Sequence, residues 1–405
     1  MRRVRPFHLP LLLLLPACAQ GGKTDIPQSE VQITANHHLL WFRSLPGFGA
    51  AATRAEAIFT GHGVLAMAND STYRIQLPTG TTAPERYALA NDGALSIFNT
   101  GTGREPSTVF QGAYRLVGAD PDLFFTDRVS AGSSTSIGLY FGTRVKVGQV
   151  ELEGGWNLLS LHVMLTTGGA SLARNVARAA HGEITIGAGA PGTLRTISGT
   201  GTENGNDAST TAAVTFGGSI QNLLDNTDTG DGTCNLTVSY ENTGTTADAR
   251  VFRAVAGSNI VLALDDDETD GEAGVLMLVR KFDAPATPAV IASIAGDYLL
   301  GGYTVFVNPT NNGSDSFVGT LSLTAQGAFR LDAVGHQGID FSYTGTFTNT
   351  ADGRLTLSVA GTNETWTAAI NRSYDTLVLI DDVVENRSNF LPELNLVVGV
   401  RKKVN

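Results

Sequence analysis

The chain has 405 residues, 42% hydrophobic and 16% charged, with 47 glycines and a formal net charge of −11. That length exceeds one ordinary core, the apolar content excludes wholesale disorder, and Gly with frequent Thr and Ser points to short strands and tight turns. The acidic balance argues against nucleic acid, whose phosphates demand Lys and Arg, and disfavours broad docking on anionic lipid.

In chain order the first element is a targeting segment: Arg2, Arg3 and Arg5, the apolar run Leu9 to Leu15, then Leu15-Pro-Ala-Cys18. The last four residues resemble the lipobox of bacterial lipoproteins, with Pro16 unusual at its place. The resemblance implies that Cys18 is lipidated and becomes the first mature residue, anchoring the chain to a membrane of the cell envelope. An ordinary secretory site fits the same residues, because Ala17-Cys18-Ala19 reads small-x-small; either reading exports the chain. Without residues 1–18 the charge becomes −14, from 24 basic and 38 acidic residues. No later apolar run approaches the ~20 residues of a membrane helix. Cys234 is then the one cysteine left, so no internal disulfide can form, and within Thr233–Val238 it reads as a buried, inert thiol.

Residues 19–34, with Gly21-Gly22 and Pro27, read as a flexible tether. Beyond it one pattern recurs three times. A closing hairpin appears as Asp122–Phe125 with Ile137–Phe141 and Arg144, as Asn259–Leu264 with Val275–Val279 and Arg280, and as Asp375–Ile380 with Glu393–Val400 and Arg401. An Asp-Gly turn precedes each, at Asp92-Gly93, Asp231-Gly232 and Asp352-Gly353. Asp-Gly tolerates the positive φ that two-residue hairpins demand. From these glycines to the closing arginines the separations are 51, 48 and 48 residues. Each module opens on an aromatic strand, at Trp41, Trp156 and Tyr298, which precede their glycines by 52, 76 and 55 residues. The excess in the second is assigned to an exposed low-complexity loop, 198–211.

Periodicity within the modules is two: Leu355, Leu357 and Val359 alternate with Arg354, Thr356 and Ser358. About eight strands fall in each ~110-residue module, the number at which a meander closes into a small barrel and loses its edges. The fold class expected is therefore all-β, three tandem antiparallel up-and-down β-barrels over 35–148, 149–284 and 290–405. Open β-sandwiches are the alternative; the missing half-period disfavours a propeller. Two stretches read as helical between first and second strands, Ser171–Ala180 with Gly182 beyond its end, and Ala50–Ala57.

These residues resemble lipocalin-like barrels of the calycin group, whose signature is Gly-x-Trp on the first strand and an Arg near the last. The resemblance implies that Arg280 closes one barrel end over Trp156 behind Gly154, and that Arg401 does so over Tyr298 behind Gly296. Trp41 would pair with Arg144, without the preceding Gly. It also implies that a helix between strands one and two acts as a lid or a plug.

Chemistry is sparse. The histidines form no recognisable ligand set, and His37 and His38, being adjacent, point to opposite sides of a strand. Asp266, Glu268, Asp270 and Gly271 mimic the opening of a calcium loop, but Met277 stands where its bidentate Glu belongs and strands flank it, so Asp265–Gly271 reads as a solvated turn. Gly47–Ala52 lacks the β-α-β setting of a dinucleotide site. No nucleophile elbow, phosphate loop or zinc-protease motif occurs. The expectation is a non-enzyme without cofactor or metal, a binding module for a small apolar ligand or an envelope protein partner. Its motivation is the barrel pattern with inward candidates Phe341, Tyr343 and Phe347. A structural or adhesive spacer without ligand is the alternative.

Overall fold

The computed structural model describes residues 28–45, 58–99, 107–116, 122–127, 137–145, 150–165, 176–190, 192–205, 212–223, 231–242, 248–265, 272–282, 289–307, 312–335, 338–381 and 393–403. The alternating stretches form antiparallel strands in sequence order, and the meander closes on itself three times. The first sheet holds β1 (Ala35–Ser44), β2 (Ile58–Met67), β3 (Thr72–Leu77), the two-residue β4 (Gly80–Thr81), β5 (Glu85–Leu89), β6 (Ala94–Asn99), β7 (Ser107–Tyr114), β8 (Asp122–Asp127) and β9 (Ile137–Arg144). Pairing of β1 with β9 and of β2 with β3 makes it an eight-stranded ring with β4 as an appendage.

Barrel 2 runs through β10 (Gly154–Met164), β11 (Val176–Ile186), β12 (Arg195–Gly205), β13 (Ala212–Asn222), β14 (Thr233–Asn242), β15 (Asp248–Ala256), β16 (Ile260–Asp265) and β17 (Glu272–Arg280). A six-residue helix, α1 (Ala289–Ile294), leads into barrel 3. Its strands are β18 (Gly296–Val307), β19 (Asn312–Leu323), β20 (Ala328–Gly335), β21 (Asp340–Asn349), β22 (Arg354–Val359), β23 (Thr365–Ile370), β24 (Thr376–Asp381) and β25 (Glu393–Arg401). The three Asp-Gly turns are equivalent: Gly93, Gly232 and Gly353 have φ of 98°, 98° and 92°. Each glycine carbonyl accepts a hydrogen bond from the strand after next, from Tyr114, Ala256 and Ile370.

Two local expectations are corrected. The stretch read as a helix over Ser171–Ala180 is strand β11 from Val176 onward, and Gly182 lies inside that strand. The low-complexity loop is strand β12 as far as Gly205. The cause is shared: a Cβ at Gly182 or Gly201 would meet the Phe216 ring at 2.6 Å, so these glycines form a trough that Phe216 fills. Burying that ring outweighs the weak intrinsic strand preference of Gly and Ala. Residues 198–205 are therefore part of the barrel wall and not an exposed loop. The helix read over Ala50–Ala57, and the calcium-loop positions Asp266, Glu268, Asp270 and Gly271, lie outside the described residues.

Each barrel has its own core. Leu65, Tyr87, Leu95 and Phe125 fill barrel 1; Trp156, Phe216, Leu236 and Phe252 fill barrel 2; Tyr298, Leu321, Phe329 and Leu357 fill barrel 3. A fourth core lies between them. Leu40, Phe42, Phe124 and Phe141 of barrel 1 join Leu161, Leu262, Val275 and Met277 of barrel 2, and Tyr303, Ile380, Leu396 and Val398 of barrel 3. This explains why the closing strands are apolar on both faces: Leu394, Leu396, Val398 and Val400 face the neighbours, whereas Val397 faces the interior.

The contacts run in a ring. Strand β1 packs on β16, β10 on β24 and β18 on β8, so the opening strand of each barrel lies on the closing hairpin of the next, and barrel 3 returns to barrel 1. The Asp-Gly turns follow the same order. The Asp231 carbonyl lies 2.9 Å from His38 Nε2, the Asp352 carbonyl accepts from Asn157 Nδ2 at 3.3 Å, and the Asp92 carbonyl accepts from the Lys403 amide at 3.1 Å. A buried ion pair, Arg115 to Asp375 at 2.8 Å, ties barrel 1 to barrel 3. No helix among the described residues is long and apolar enough to cross a membrane.

Candidate functional site

The base of each barrel is where its first strand begins. In barrel 2, Arg280 stands opposite Trp156 in register and lies over its ring, 4.4 Å from the centroid. Its guanidinium donates to the carbonyls of Glu151 and Glu153, and the Trp156 indole N–H donates to Leu152 O at 2.9 Å. Barrel 3 repeats the arrangement. Arg401 stands opposite Tyr298 and donates to the carbonyls of Ser293 and Ala295, while the Tyr298 hydroxyl donates to Ile294 O at 2.7 Å. In both, the segment entering the barrel closes its base, and its orphaned carbonyls find donors on the first and last strands. Gly296 is required there: its φ is 152°, and a Cβ would come within 2.9 Å of Arg401 Nε.

Barrel 1 departs from the expected pairing. Trp41 stands opposite Tyr140, not Arg144, and its ring occupies the space a side chain at Gly61 would need. Arg144 is opposite His37 and exposed. His37 therefore holds the position of Trp156 and Tyr298, buried edge-on against Tyr114 with centroids 5.3 Å apart. It precedes Gly93 by 56 residues, close to the 55 of Tyr298. Burial, then the charges of Arg144 and His38, lower its pKa to about 3, so the ring is neutral. Val31 and Ile33, from the stretch read as tether, pack against this base, and the Glu30 and Val31 amides donate to Leu89 O.

The opposite ends, the mouths, differ sharply. Barrel 3 presents a run of rings that leads from the mouth into the core: Phe317 to Phe341 at 5.3 Å, Phe341 to Tyr343 at 6.0 Å, Tyr343 to Trp366 at 5.1 Å and Trp366 to the core residue Phe329 at 5.9 Å. Of the three expected inward aromatics, Phe347 is buried and Phe341 half-buried, while Tyr343 is 37% exposed. Exposure follows from strand pairing, because β22 pairs with β21 only from Gly345 to Asn349, leaving 340–343 paired with β20 alone. Val334, 42% exposed, and Ile339, 62% exposed, flank the same end.

Barrel 2 carries charge at its mouth. Arg250, buried over the Tyr240 ring at 4.5 Å, lies 2.6 Å from Asp248, 3.2 Å from Glu272 and 3.9 Å from Glu203. The Tyr240 hydroxyl donates to Ser160 Oγ at 3.2 Å, and burial pushes its pKa up to about 12. His162 stands between the rings of Tyr240 and Phe252, at 5.8 and 5.6 Å. His162, Asp265 and Glu272 each bring one donor atom into a group spanning no more than 4.8 Å. Sequence reading could not assemble these three, because His162 stands far from the other two in the chain and its barrel register joins them.

A small cleft of about 60 Å³ opens at the seam of barrels 1 and 2, lined by His38, His62, Leu223, Cys234 and Arg253 among others. Cys234 is buried as expected; burial pushes its thiol up to about 12, and its Sγ lies 3.1 Å from Asn222 Oδ1. A thiol held protonated there is no nucleophile.

The fold defines a class, that of proteins built from closed eight-stranded antiparallel barrels. No family model matches the chain, and no curated protein matches it. Among solved structures, a double mutant of transferrin binding protein B from Haemophilus parasuis aligns over 92% of this chain and 76% of that one, at TM-score 0.32 and 7% identity. An intact transferrin binding protein B with both lobes aligns over 92% and 78%, at 0.24 and 9%. A Nostoc punctiforme protein of unknown function aligns over 91% and 96%, at 0.20 and 10%. Similarity at this level carries no weight for function, and the barrels rest on their own strand pairing.

Proposed function

We propose that this chain is an exported, lipid-anchored envelope protein that binds a protein partner without catalysis, through the aromatic mouth of barrel 3. The observation that carries the reading is the half-open wall of Phe341 and Tyr343, which packs on the buried Trp366 and follows exposed Ile339 in the chain, apolar surface that a meander ordinarily buries. Aromatic side chains anchor interfaces because they bury much area at little entropic cost. A small apolar ligand enclosed within a barrel is less well supported, since the interiors are filled by Trp156, Phe216, Leu321 and their neighbours. Orientation agrees with the proposal. Strand β1 starts at a base, so an anchor at Cys18 would tether that side and leave the mouths facing away from the membrane.

The test immobilises the mature chain and a Phe341→Ser/Tyr343→Ser variant, both checked for folding, and exposes them to solubilised envelope proteins of the source cells. Capture of one discrete protein by the wild type and its loss in the variant is the expected result. Equal capture by both overturns the proposal. A second reading, the ligand-free structural spacer, is favoured by the core that fuses the barrels into one body. It expects no specific capture and a loss of envelope integrity on deletion.

A further inference from the structure

We infer that the mouth of barrel 2 binds one divalent transition-metal ion, of which Zn²⁺ suits the donors best, through His162, Asp265 and Glu272. Register builds the site. His162 on β10 and Asp265 on β16 both stand opposite Gly274 of β17, and Glu272 lies two residues earlier on that strand. Gly274 is what admits the imidazole, because a Cβ there would sit 2.2 Å from His162 Nδ1. The donor atoms lie within 4.8 Å of one another. Zinc bonds of ~2.1 Å place tetrahedral ligands roughly 3.4 Å apart, so small side-chain rotations close the set.

Two further observations point to a cation. The His162 ring is buried, yet neither of its nitrogens has a hydrogen-bond partner among the described residues. Buried polar groups are nearly always bonded, and a neutral imidazole with a free lone pair is the form that ligates metal. Burial, with Arg250 and Arg178 nearby, keeps the ring neutral. Charge is the other. Glu203, Asp265 and Glu272 are all buried at this mouth, an acidic lining that favours a cation over an anion. Imidazole among the ligands selects a transition metal over calcium or magnesium. Arg250, 3.2 Å from Glu272, orients that carboxylate from behind. The ion would clamp β10, β16 and β17 together at the end farthest from the Trp156 base.

The test titrates the chelator-stripped mature chain with ZnCl₂ alone, by calorimetry and metal analysis. One Zn²⁺ per chain is expected, with a raised Tm. His162→Ala and Asp265→Asn, each checked by near-ultraviolet circular dichroism, should lower the affinity at least ~100-fold. Gly274→Ala, which displaces the ring, should weaken binding in the same direction. Histidine side-chain NMR of the wild type keeps the inference testable even where a variant fails to fold: Zn²⁺ should shift one buried imidazole. No Zn²⁺ bound by the folded wild type overturns the site. So do unchanged affinity in a folded His162→Ala chain, shifts confined to exposed histidines, or a preference for Ca²⁺ that His162→Ala leaves intact.

Discussion

Barrels 2 and 3 are closed alike at the base and differ at the mouth. Both bases set an aromatic ring and an arginine across one register position, with the arginine donating to carbonyls of the incoming segment. At the mouths, one barrel buries Arg250, Glu203, Asp265, Glu272 and His162, and the other leaves Phe341 and Tyr343 half-open. A base has a fixed task, because backbone carbonyls buried there must find donors. The mouth, once the barrel is closed, is free to diverge into different recognition surfaces. Barrel 1 sharpens the contrast, since His37 takes the base position with Arg144 turned to solvent.

The comparison can be broken in four ways. If the bases are equivalent, Trp156→Ala and Tyr298→Ala should each cost about 3–5 kcal/mol of unfolding free energy in denaturant titrations, as large buried rings do. A cost below about 1 kcal/mol for either would end the equivalence. Barrel 1 should be the acid-labile base. Its His37 has a folded pKa of about 3, below the ordinary histidine value, so the unfolded chain binds more protons and stability falls as pH drops. The contribution is complete above about pH 6.5, and about 2–3 kcal/mol of it should be lost by about pH 4.5. Hydrogen exchange should register this in barrel 1, and His37→Phe should abolish it. Tyr298, its counterpart in barrel 3, has its phenol pKa raised by burial and stays neutral throughout that range.

The seam is a smaller lever. A Cβ at Gly301 of β18 would meet the buried Phe124 ring of barrel 1 at 2.5 Å. Gly301→Ala should therefore cost about 1–3 kcal/mol by overpacking, measured as a shift in denaturation midpoint. Smallest of all, Tyr343→Ser should change stability by less than about 1 kcal/mol, being partly exposed, while reducing partner capture. A large loss of stability would make the barrel 3 mouth a packing element instead of a recognition surface.

Much of the architecture was legible because its signals are local. Period-two alternation, Asp-Gly turns that need positive φ, and an arginine ending the last strand act within a few residues, and they marked three meanders and two of the three bases. Where a side chain's role depends on distant neighbours, local reading failed. Val176–Ala180 carries helical periodicity yet pairs as a strand, and Ser198–Gly205 reads as loop until Phe216 fills its glycine trough. Trp41 reads as the base ring because it is aromatic; the register places it four residues too far along and puts His37 there.

The sequence by itself determined that there would be three all-β modules, each closed by its own hairpin, because turn chemistry and alternation are properties of neighbouring residues. Tertiary structure decided what lies between and inside them. A closing strand such as Leu394–Val400 is apolar on both faces, and only the ring of barrels shows that Leu396 serves the shared core and Val397 the private one. The meeting of His162, Asp265 and Glu272 was likewise decided by sheet register, which joins residues that chain distance keeps apart.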